Sequence, residues 1–234
     1  MADGYRELRG AVFAANLEVV GAGLVVLTFG NASACDRGAG VAAIKPSGVS
    51  YADLRPEDIV VLDLASGETI AGDRRPSSDT PTHLELYRRF STIGGIVHTH
   101  SASATAWAQA RRPIPCLGTT HADHFRGAIP VTRALTAAEI AGDYERHTGD
   151  AIAETIGDGD PLEVPAALVA SHGPFAWGAS VEEAVTNAVA LEAVAAMATE
   201  TFSLDPGAAS ADPVLIDRHF ARKHGPGAYY GQPR

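Results

Sequence analysis

The segment that most constrains the fold runs from Gly94 to Ser101, where a short apolar run ends in the triplet His98-Thr99-His100. Side chains alternate between the two faces of a β-strand, so a strand here predicts that His98 and His100 project on the same side. Two imidazoles in that arrangement are able to bind one metal ion. The segment therefore predicts a strand that carries a metal-binding pair at its end.

Two further candidate ligands stand beside turns elsewhere in the chain. His172 follows a second apolar run at residues 168–170, and Asp79 lies between a serine pair and a Thr-Pro dipeptide. Three imidazoles and a carboxylate are typical of zinc or a similar divalent transition metal, and the absence of cysteine ligands argues against a closed structural zinc site. Four protein ligands fit a catalytic metal if its coordination expands, or if Asp79 is loosely held and moves when substrate binds.

Length, cysteine content and charge restrict the class of protein. At 234 residues the chain is expected to form one domain, residues 1–234, that buries most of its apolar surface. No stretch approaches the roughly 20 uninterrupted apolar residues of a membrane helix, and the first residues lack a signal-peptide core. The only cysteines are Cys35 and Cys116, so no disulfide framework is indicated and a cytoplasmic location is expected. A net charge of −10 without a basic stripe argues against nucleic-acid binding, although a local cation can still bind a small anion.

Apolar periodicity and turn residues divide the chain into helices and strands. Helices are predicted at residues 5–20, 80–90, 103–110, 136–156, 180–202 and 214–224, and strands at residues 24–29, 40–44, 59–63, 68–71, 93–99 and 166–170. Thr80 is the predicted N-cap of the second helix, and the fourth helix is expected to break near Gly149. Strands followed by helices, with a hairpin at residues 64–67, predict an α/β fold in which helices cover a mixed sheet.

Several turn residues carry groups that suit a phosphate. They are Lys45, Ser47 and Gly48 in one turn, the pair Ser77 and Ser78 before the second helix, and Asn31 after a glycine. Free N–H groups and the dipole at the start of a helix favour phosphate. Ordinary turn chemistry is the alternative for each segment taken alone, and the distance to the metal candidates is not visible in the sequence.

A dinucleotide site is not expected. The stretch that starts at Gly38 formally matches the GxGxxG/A pattern. It precedes a strand-like run, whereas a dinucleotide fingerprint follows a strand and opens a helix. NAD is therefore not predicted as a cofactor.

Candidate acids and bases occur in the polar loop 118–125 and near the C-terminus. Asp123 is a candidate proton carrier, and a loop carboxylate that caps a turn is the alternative. Tyr229 and Tyr230 stand in a Gly- and Pro-rich tail, a composition typical of a frayed terminus. His219 and Arg222, on the preceding predicted helix, are by default part of a solvated face.

In combination these segments closely resemble the class II aldolase family, and within it the L-ribulose-5-phosphate 4-epimerase branch. The resemblance runs from about residue 5 to Gln232. Its strongest blocks are TFGN at 28–31, KPSGV at 45–49, PSSDTPTH at 76–83, GGIVHTHS at 94–101, GTTHAD at 118–123, SHGPFAWG at 171–178, RKHG at 222–225 and AYYGQ at 228–232. The aldolase branch has a glutamate where Asp79 stands, so this residue favours the epimerase. His124 and Arg126 depart from the branch and lie beside Asp123.

The resemblance implies a fold, an assembly and a set of site residues. It implies a central, largely antiparallel sheet between helical layers, and a homotetramer with active sites between subunits. It assigns one divalent metal ion per subunit, zinc with manganese or cobalt as alternatives, to Asp79, His98, His100 and His172. It assigns the substrate phosphate to Asn31, Lys45, Ser47, Gly48, Ser77 and Ser78. Asp123 and Tyr230 of a neighbouring subunit would form the acid/base pair, with His219 near them.

The expected activity is 4-epimerisation of a pentulose 5-phosphate, L-ribulose 5-phosphate to D-xylulose 5-phosphate, by cleavage and re-formation of the C3–C4 bond. A membrane partner is not expected. Two alternatives remain open from the residues. One is an aldolase that releases an aldehyde from a related sugar phosphate, and the other is a metal-binding homologue without catalytic activity.

Overall fold

The computed structural model describes residues 4–225 and 227–230. The helices are α1 Arg6–Gly21, α2 Thr80–Arg89, α3 Ala102–Ala110, α4 Thr119–Ala122, α5 Ala137–Ala141, α6 Tyr144–Ile156, α7 Val181–Leu204 and α8 Pro213–His224, with a 3₁₀ turn at Pro56–Asp58. The strands are β1 Gly30–Asp36, β2 Val41–Ile44, β3 Val60–Asp63, β4 Thr69–Ala71, β5 Gly95–Thr99, β6 Ala166–Leu168 and β7 Pro174–Gly178. Within the described residues, no helix has the length and apolar character needed to cross a membrane.

The seven strands form one sheet in the order β4-β3-β2-β1-β5-β7-β6, and neighbouring strands are antiparallel. Helices α1, α3 and α7 pack on one face, against side chains such as Val97. Helices α2 and α6 pack on the other face, against side chains such as Ile96. The arrangement confirms the predicted α/β fold with a central, largely antiparallel sheet between helical layers. Because side chains alternate along a strand, His98 lies on the same face as Ile96, toward α2 and α6.

The predicted strand at residues 24–29 is wrong. This segment forms turns, and β1 begins only at Gly30. Leu27 has a φ angle of 57°, in the left-handed region, so the chain cannot run extended through this residue. Val26 is 63% exposed and Leu27 is 77% exposed. The apolar composition of this segment predicted a strand, but the segment forms turns in which Val26 and Leu27 are exposed.

Two helix boundaries also differ from the prediction. The predicted helix at residues 136–156 breaks between α5 and α6 at Gly142, rather than at Gly149. Gly149 lies inside α6, where an added Cβ would be 2.8 Å from the Cβ of Glu85 in α2. This glycine therefore allows the two helices to approach closely instead of ending one of them. Thr80 is the first residue of α2, and Asp79 occupies the N-cap position without a side-chain cap bond.

Two glycines before the histidine pair let α7 lie directly on the sheet. A Cβ added at Gly95 would stand 2.5 Å from the backbone nitrogen of Val181 and 2.6 Å from the backbone oxygen of Ser180. At Gly94 the clash would be with the backbone of Ala179. The start of α7 is thus fixed against the strand that carries His98.

Candidate metal centre and anion pocket

The central strands bring three side chains into a row across the sheet. Asn31 is paired with His98 between β1 and β5, and His98 is paired with Phe175 between β5 and β7. The His98 and Phe175 rings stack with centroids 4.1 Å apart. Strand β7 was absent from the sequence predictions, because Pro174 and Gly178 at its ends are typical of turns. It supplies the ring on which His98 rests.

The turn between β6 and β7 carries His172 to the end of β5. Gly173 makes this approach possible, since a Cβ there would lie 2.8 Å from the backbone oxygen of Thr99. The ring centroids of His172 are 4.9 Å from those of His98 and 5.0 Å from those of His100. The sequence prediction that a histidine from a second apolar run joins the pair is therefore consistent with the geometry.

The three histidines converge in a way that fits one metal ion. One ring nitrogen of each lies within 4.8 Å of the others, and Nε2 of His98 is 3.2 Å from Nε2 of His100. Two nitrogen ligands of a tetrahedral zinc ion, each about 2.0–2.1 Å from it, are separated by roughly 3.3 Å. The donor set of His98, His100 and His172 therefore suits a divalent transition metal.

The protonation state of His98 is fixed by its surroundings. Its Nδ1 lies 2.9 Å from the carbonyl oxygen of Pro174, which can only accept, so Nδ1 carries the proton. Burial lowers the pKa of His98 to about 3, so the ring is neutral at neutral pH. Its Nε2 lone pair is then available to a metal. Burial also lowers the pKa of His100 and of His172.

Asp79 lies beside the histidines rather than within the converging group. Among the described residues, only the three histidines meet the 4.8 Å convergence. The Asp79 carboxylate accepts a hydrogen bond of 2.7 Å from Nδ2 of Asn31. Burial acts to raise the pKa of Asp79, but the pKa stays below its usual value, and the hydrogen bond from Asn31 favours the ionised carboxylate. The residue is therefore an ionised oxygen donor next to the nitrogen donors.

A cavity of about 430 Å³ joins the histidines to the predicted phosphate ligands. It is lined by all four predicted metal ligands and by Asn31, Lys45, Ser47, Gly48, Ser77 and Ser78. The two phosphate turns are tied together, because the amide of Ser77 donates to the backbone oxygen of Lys45 at 3.0 Å. The proximity that the sequence left open is thus present in the structure.

Lys45 supplies a buried positive group to this cavity. The side chain is 2% exposed, and Nζ donates to the carbonyl oxygens of Val49 at 2.7 Å and Pro46 at 3.3 Å. Nζ also lies 4.6 Å from the centre of the Tyr51 ring. Within residues 4–225 and 227–230, no carboxylate forms an ion pair with Lys45, and burial lowers its pKa. A small anion would neutralise this ammonium group.

Asp123, His219 and Tyr230 form a second cluster, and none of the three lines the metal cavity of the same chain. Asp123 accepts hydrogen bonds from Nε of Arg222 at 2.8 Å and from Nδ1 of His219 at 3.0 Å. Burial acts to raise the pKa of Asp123, but the bonds from Arg222 and His219 hold it below its usual value. The guanidinium of Arg222 lies 4.8 Å from the centre of the Tyr230 ring. The solvated face predicted for His219 and Arg222 is therefore wrong, since both contact Asp123.

The two departures from the epimerase branch border this cluster. Arg126 binds Asp217 of α8 at 2.9 Å and also pairs with Glu163. His124 Nε2 lies 3.5 Å from Nζ of Lys223. Both residues therefore link the Asp123 loop to neighbouring segments. Gln232, at the end of the resemblance, lies outside the described residues.

Sequence reasoning missed two residues that line the cavity. Tyr144 and Glu145 are the first residues of α6, and both face the space beside the histidines. The only local signal is the break at Gly142 that precedes them. A helix start in the middle of a predicted helix could not be assigned to a site without the packing of α6 on α2.

The sequence profile of the family described as "Class II Aldolase and Adducin N-terminal domain" matches residues 10–199. A solved structure named "L-fuculose 1-phosphate aldolase" is 23% identical with a TM-score of 0.79, and the match covers 95% of this chain and 97% of that chain. L-fuculose-1-phosphate aldolase from Thermus thermophilus is 25% identical with a TM-score of 0.65, covering 88% and 98%. YgbL from Escherichia coli, titled a putative aldolase/epimerase/decarboxylase, is 22% identical with a TM-score of 0.71, covering 92% and 98%.

Proposed function

Because the chain belongs to the Class II Aldolase and Adducin N-terminal domain family, and is of its metal-dependent sugar-phosphate aldolase and epimerase type, we propose that it is a 4-epimerase of a pentulose 5-phosphate. The proposed reaction converts L-ribulose 5-phosphate to D-xylulose 5-phosphate. The observation that carries the proposal is the shared cavity, in which a histidine triad adjoins a buried lysine that has no ion-pair partner in the described residues. In a sugar phosphate, the phosphate suits the lysine, and the carbonyl and hydroxyl oxygens at the other end suit a metal held by the histidines.

The substrate explains why a metal and a separate anion pocket are needed. In a 2-ketopentose 5-phosphate the C4 hydrogen is β to the carbonyl and is not acidic, so simple deprotonation cannot invert C4. Cleavage of C3–C4 gives glycolaldehyde phosphate and a three-carbon fragment, and the bond re-forms after the aldehyde has rotated. A divalent metal held by Asp79, His98, His100 and His172, with zinc as the first candidate, would supply Lewis acidity toward the C2 and C3 oxygens.

The chain's own residues then have separate tasks. Lys45 and the two serine turns bind the phosphate, and they hold the two-carbon fragment in the site while its aldehyde rotates. One proton carrier takes the C4 hydroxyl proton as the bond breaks, and a second returns a proton on the other face. Asp123 and Tyr230 of a neighbouring subunit are the proposed pair, with His219 hydrogen bonded to Asp123.

The assembly follows from this assignment. Asp123 and Tyr230 do not line the cavity of their own chain, which supports a role in the cavity of a neighbour. We therefore propose a homotetramer of single-domain chains, residues 1–234, in the cytoplasm. The active sites would lie between subunits.

An aldolase is the second candidate. Two of the three solved structures described above are named as L-fuculose 1-phosphate aldolases, and such an enzyme would release the aldehyde instead of rotating it. Asp79 stands where the aldolase branch has glutamate, and this favours the epimerase. A metal-binding homologue without activity is disfavoured because Asp123 and Tyr230 are both retained.

The decisive experiment is turnover of L-ribulose 5-phosphate in heavy water without added nicotinamide, with the product analysed by NMR. Epimerisation by cleavage gives D-xylulose 5-phosphate with no deuterium at C3 or C4. Stoichiometric free aldehyde would assign the chain to the aldolases instead. Deuterium at C4, or an absolute requirement for nicotinamide, would contradict the cleavage mechanism.

A further inference from the structure

Each imidazole of the histidine triad needs a partner for the ring nitrogen that does not face a metal. In metal sites this second nitrogen usually donates to a carbonyl, a carboxylate or a similar acceptor, which fixes the tautomer and the ring orientation. His98 has such a partner in the carbonyl oxygen of Pro174, at 2.9 Å. The corresponding partner of His172 comes from outside the sheet.

Tyr144 contacts His172 in two ways. The phenol oxygen lies 3.1 Å from Nδ1 of His172. The two rings are also stacked, with centroids 6.1 Å apart and an interplanar angle of 23°. Tyr144 lines the same cavity as the triad. Nδ1 is therefore engaged by the phenol, and Nε2 is the nitrogen of His172 that is left for a metal.

The position of this phenol is set by the packing of α6 on α2. Tyr144 is the first residue of α6, and the hydroxyl of Thr82 in α2 donates to the backbone oxygen of Glu145 at 2.5 Å. One turn further, Gly149 lies so close to Glu85 that an added Cβ would be 2.8 Å from the Glu85 Cβ. Helix α2 begins directly after Asp79. Helix α2 therefore connects the two residues: it begins next to Asp79, and its contacts with α6 fix the position of Tyr144.

The chemistry of the phenol suits an acceptor role. A tyrosine hydroxyl is protonated and neutral at neutral pH. A neutral phenol oxygen can accept the Nδ1–H of His172, and the opposite tautomer would turn an N–H toward the metal.

We propose that Tyr144 is a positioning residue: it accepts the Nδ1–H of His172 and so holds Nε2 of that ring toward the metal. This inference rests on the proposed metal site. The partner of His172 would then come from helix α6, whereas the partner of His98 comes from strand β7.

The test is Tyr144→Phe, which keeps the ring and removes the hydroxyl. Cobalt(II) and zinc(II) affinities are measured by competition with a chromophoric chelator. We expect the affinity of the variant to fall by about 10–100-fold, because loss of an outer partner of a ligating histidine has effects of this size. In metal-free protein, long-range ¹H–¹⁵N spectra of the histidine rings should show the Nδ1–H form of His172 in the wild type and a mixture of tautomers in the variant.

Two further variants separate positioning from general damage. Tyr51→Phe is the matched control, because it deletes another tyrosine hydroxyl beside the cavity, one that donates to the backbone oxygen of Gly30 at 2.7 Å. Its metal affinity should stay within about twofold of the wild type. Gly149→Ala keeps the phenol but forces α6 away from Glu85, and should weaken metal binding in the same direction as Tyr144→Phe.

The outcomes distinguish this inference from the proposed function. A wild type that binds no stoichiometric divalent metal overturns the metal site itself. A wild type that binds tightly, together with a folded Tyr144→Phe variant of equal affinity and unchanged His172 tautomer, overturns the role of Tyr144 alone. Weakening by Tyr51→Phe to the same extent as by Tyr144→Phe also contradicts it.

Discussion

Replacing Gly95 by alanine should destabilise the fold, because it places a methyl group where α7 touches the sheet. The added Cβ would lie 2.5 Å from the backbone nitrogen of Val181 and 2.6 Å from the backbone oxygen of Ser180. Both are main-chain atoms at the start of a 24-residue helix, so no side-chain rotation relieves the clash. The helix or the strand must move.

The size of the effect follows from these distances. Non-bonded heavy atoms pack at about 3.5–4.0 Å, so α7 would have to retreat from β5 by roughly 1 Å. Such a retreat loosens the contacts that buried α7 residues such as Ala184 and Leu191 make in the core. Overpacking of this kind typically costs about 1–3 kcal/mol, and backbone clashes lie at the upper end. A loss of about 3 kcal/mol corresponds to a fall in Tm of roughly 6–12 °C for a chain of this length.

The measurement is urea unfolding of metal-free protein, followed by circular dichroism at matched protein concentration. Gly10→Ala is the control, because this glycine lies in α1 and an added Cβ would meet nothing within 4 Å. Alanine is the better helix former, so the control should gain up to about 1 kcal/mol. Equal unfolding free energies for the two variants would refute the packing argument.

Two other changes give results of known direction. Burial lowers the pKa of His121 to about 4. As pH falls below about 6.5, this histidine is therefore protonated in the unfolded chain before it is protonated in the folded protein. The free energy of unfolding should drop by up to about 3 kcal/mol between pH 6.5 and pH 4. His121→Gln keeps a donor for the Gly127 carbonyl but removes this titration, so the unfolding free energy should depend less steeply on pH, and an unchanged slope would contradict the assignment. Tyr230→Phe should lower turnover by ~10²–10⁴-fold if the phenol is an acid or base, whereas Tyr229→Phe should have a smaller effect. Mixing Tyr230→Phe with His98→Ala chains should restore part of the activity, and equal, mild losses without complementation would remove Tyr230 from the mechanism.

The sequence predicted the parts of the site that depend on local pattern. Side chains two residues apart in a strand lie on the same face, so the His-X-His pattern was enough to place His98 and His100 together. The turn residues from Lys45 to Gly48 were recognisable because turns have a characteristic composition. The resemblance then joined segments whose proximity depends on strand order, which local pattern does not contain.

The rest required tertiary packing. The left-handed backbone at Leu27 is not a usual conformation for leucine, so an apolar segment was predicted as a strand. Gly149 carries the same local signal whether it ends a helix or admits a neighbouring one, and the structure shows the second case. Tyr144 could not be found from pattern, since its contact with His172 depends on how α6 docks on α2.

The pairing of Asn31 with His98 fixes the distance between the two ends of the cavity. The turn that carries Lys45 follows β2, His98 lies in β5, and β1 pairs with both strands, so hydrogen bonds fix the separation between Lys45 and the histidines. A ligand that reaches both ends must match a fixed span between its charged group and its other oxygens. A shift of one residue in the register would turn every side chain of the strand to the opposite face, so the span cannot be lengthened in small steps. In the proposed site, the backbone would therefore select the length of the ligand, while the loops around the cavity would select the arrangement of its hydroxyl groups.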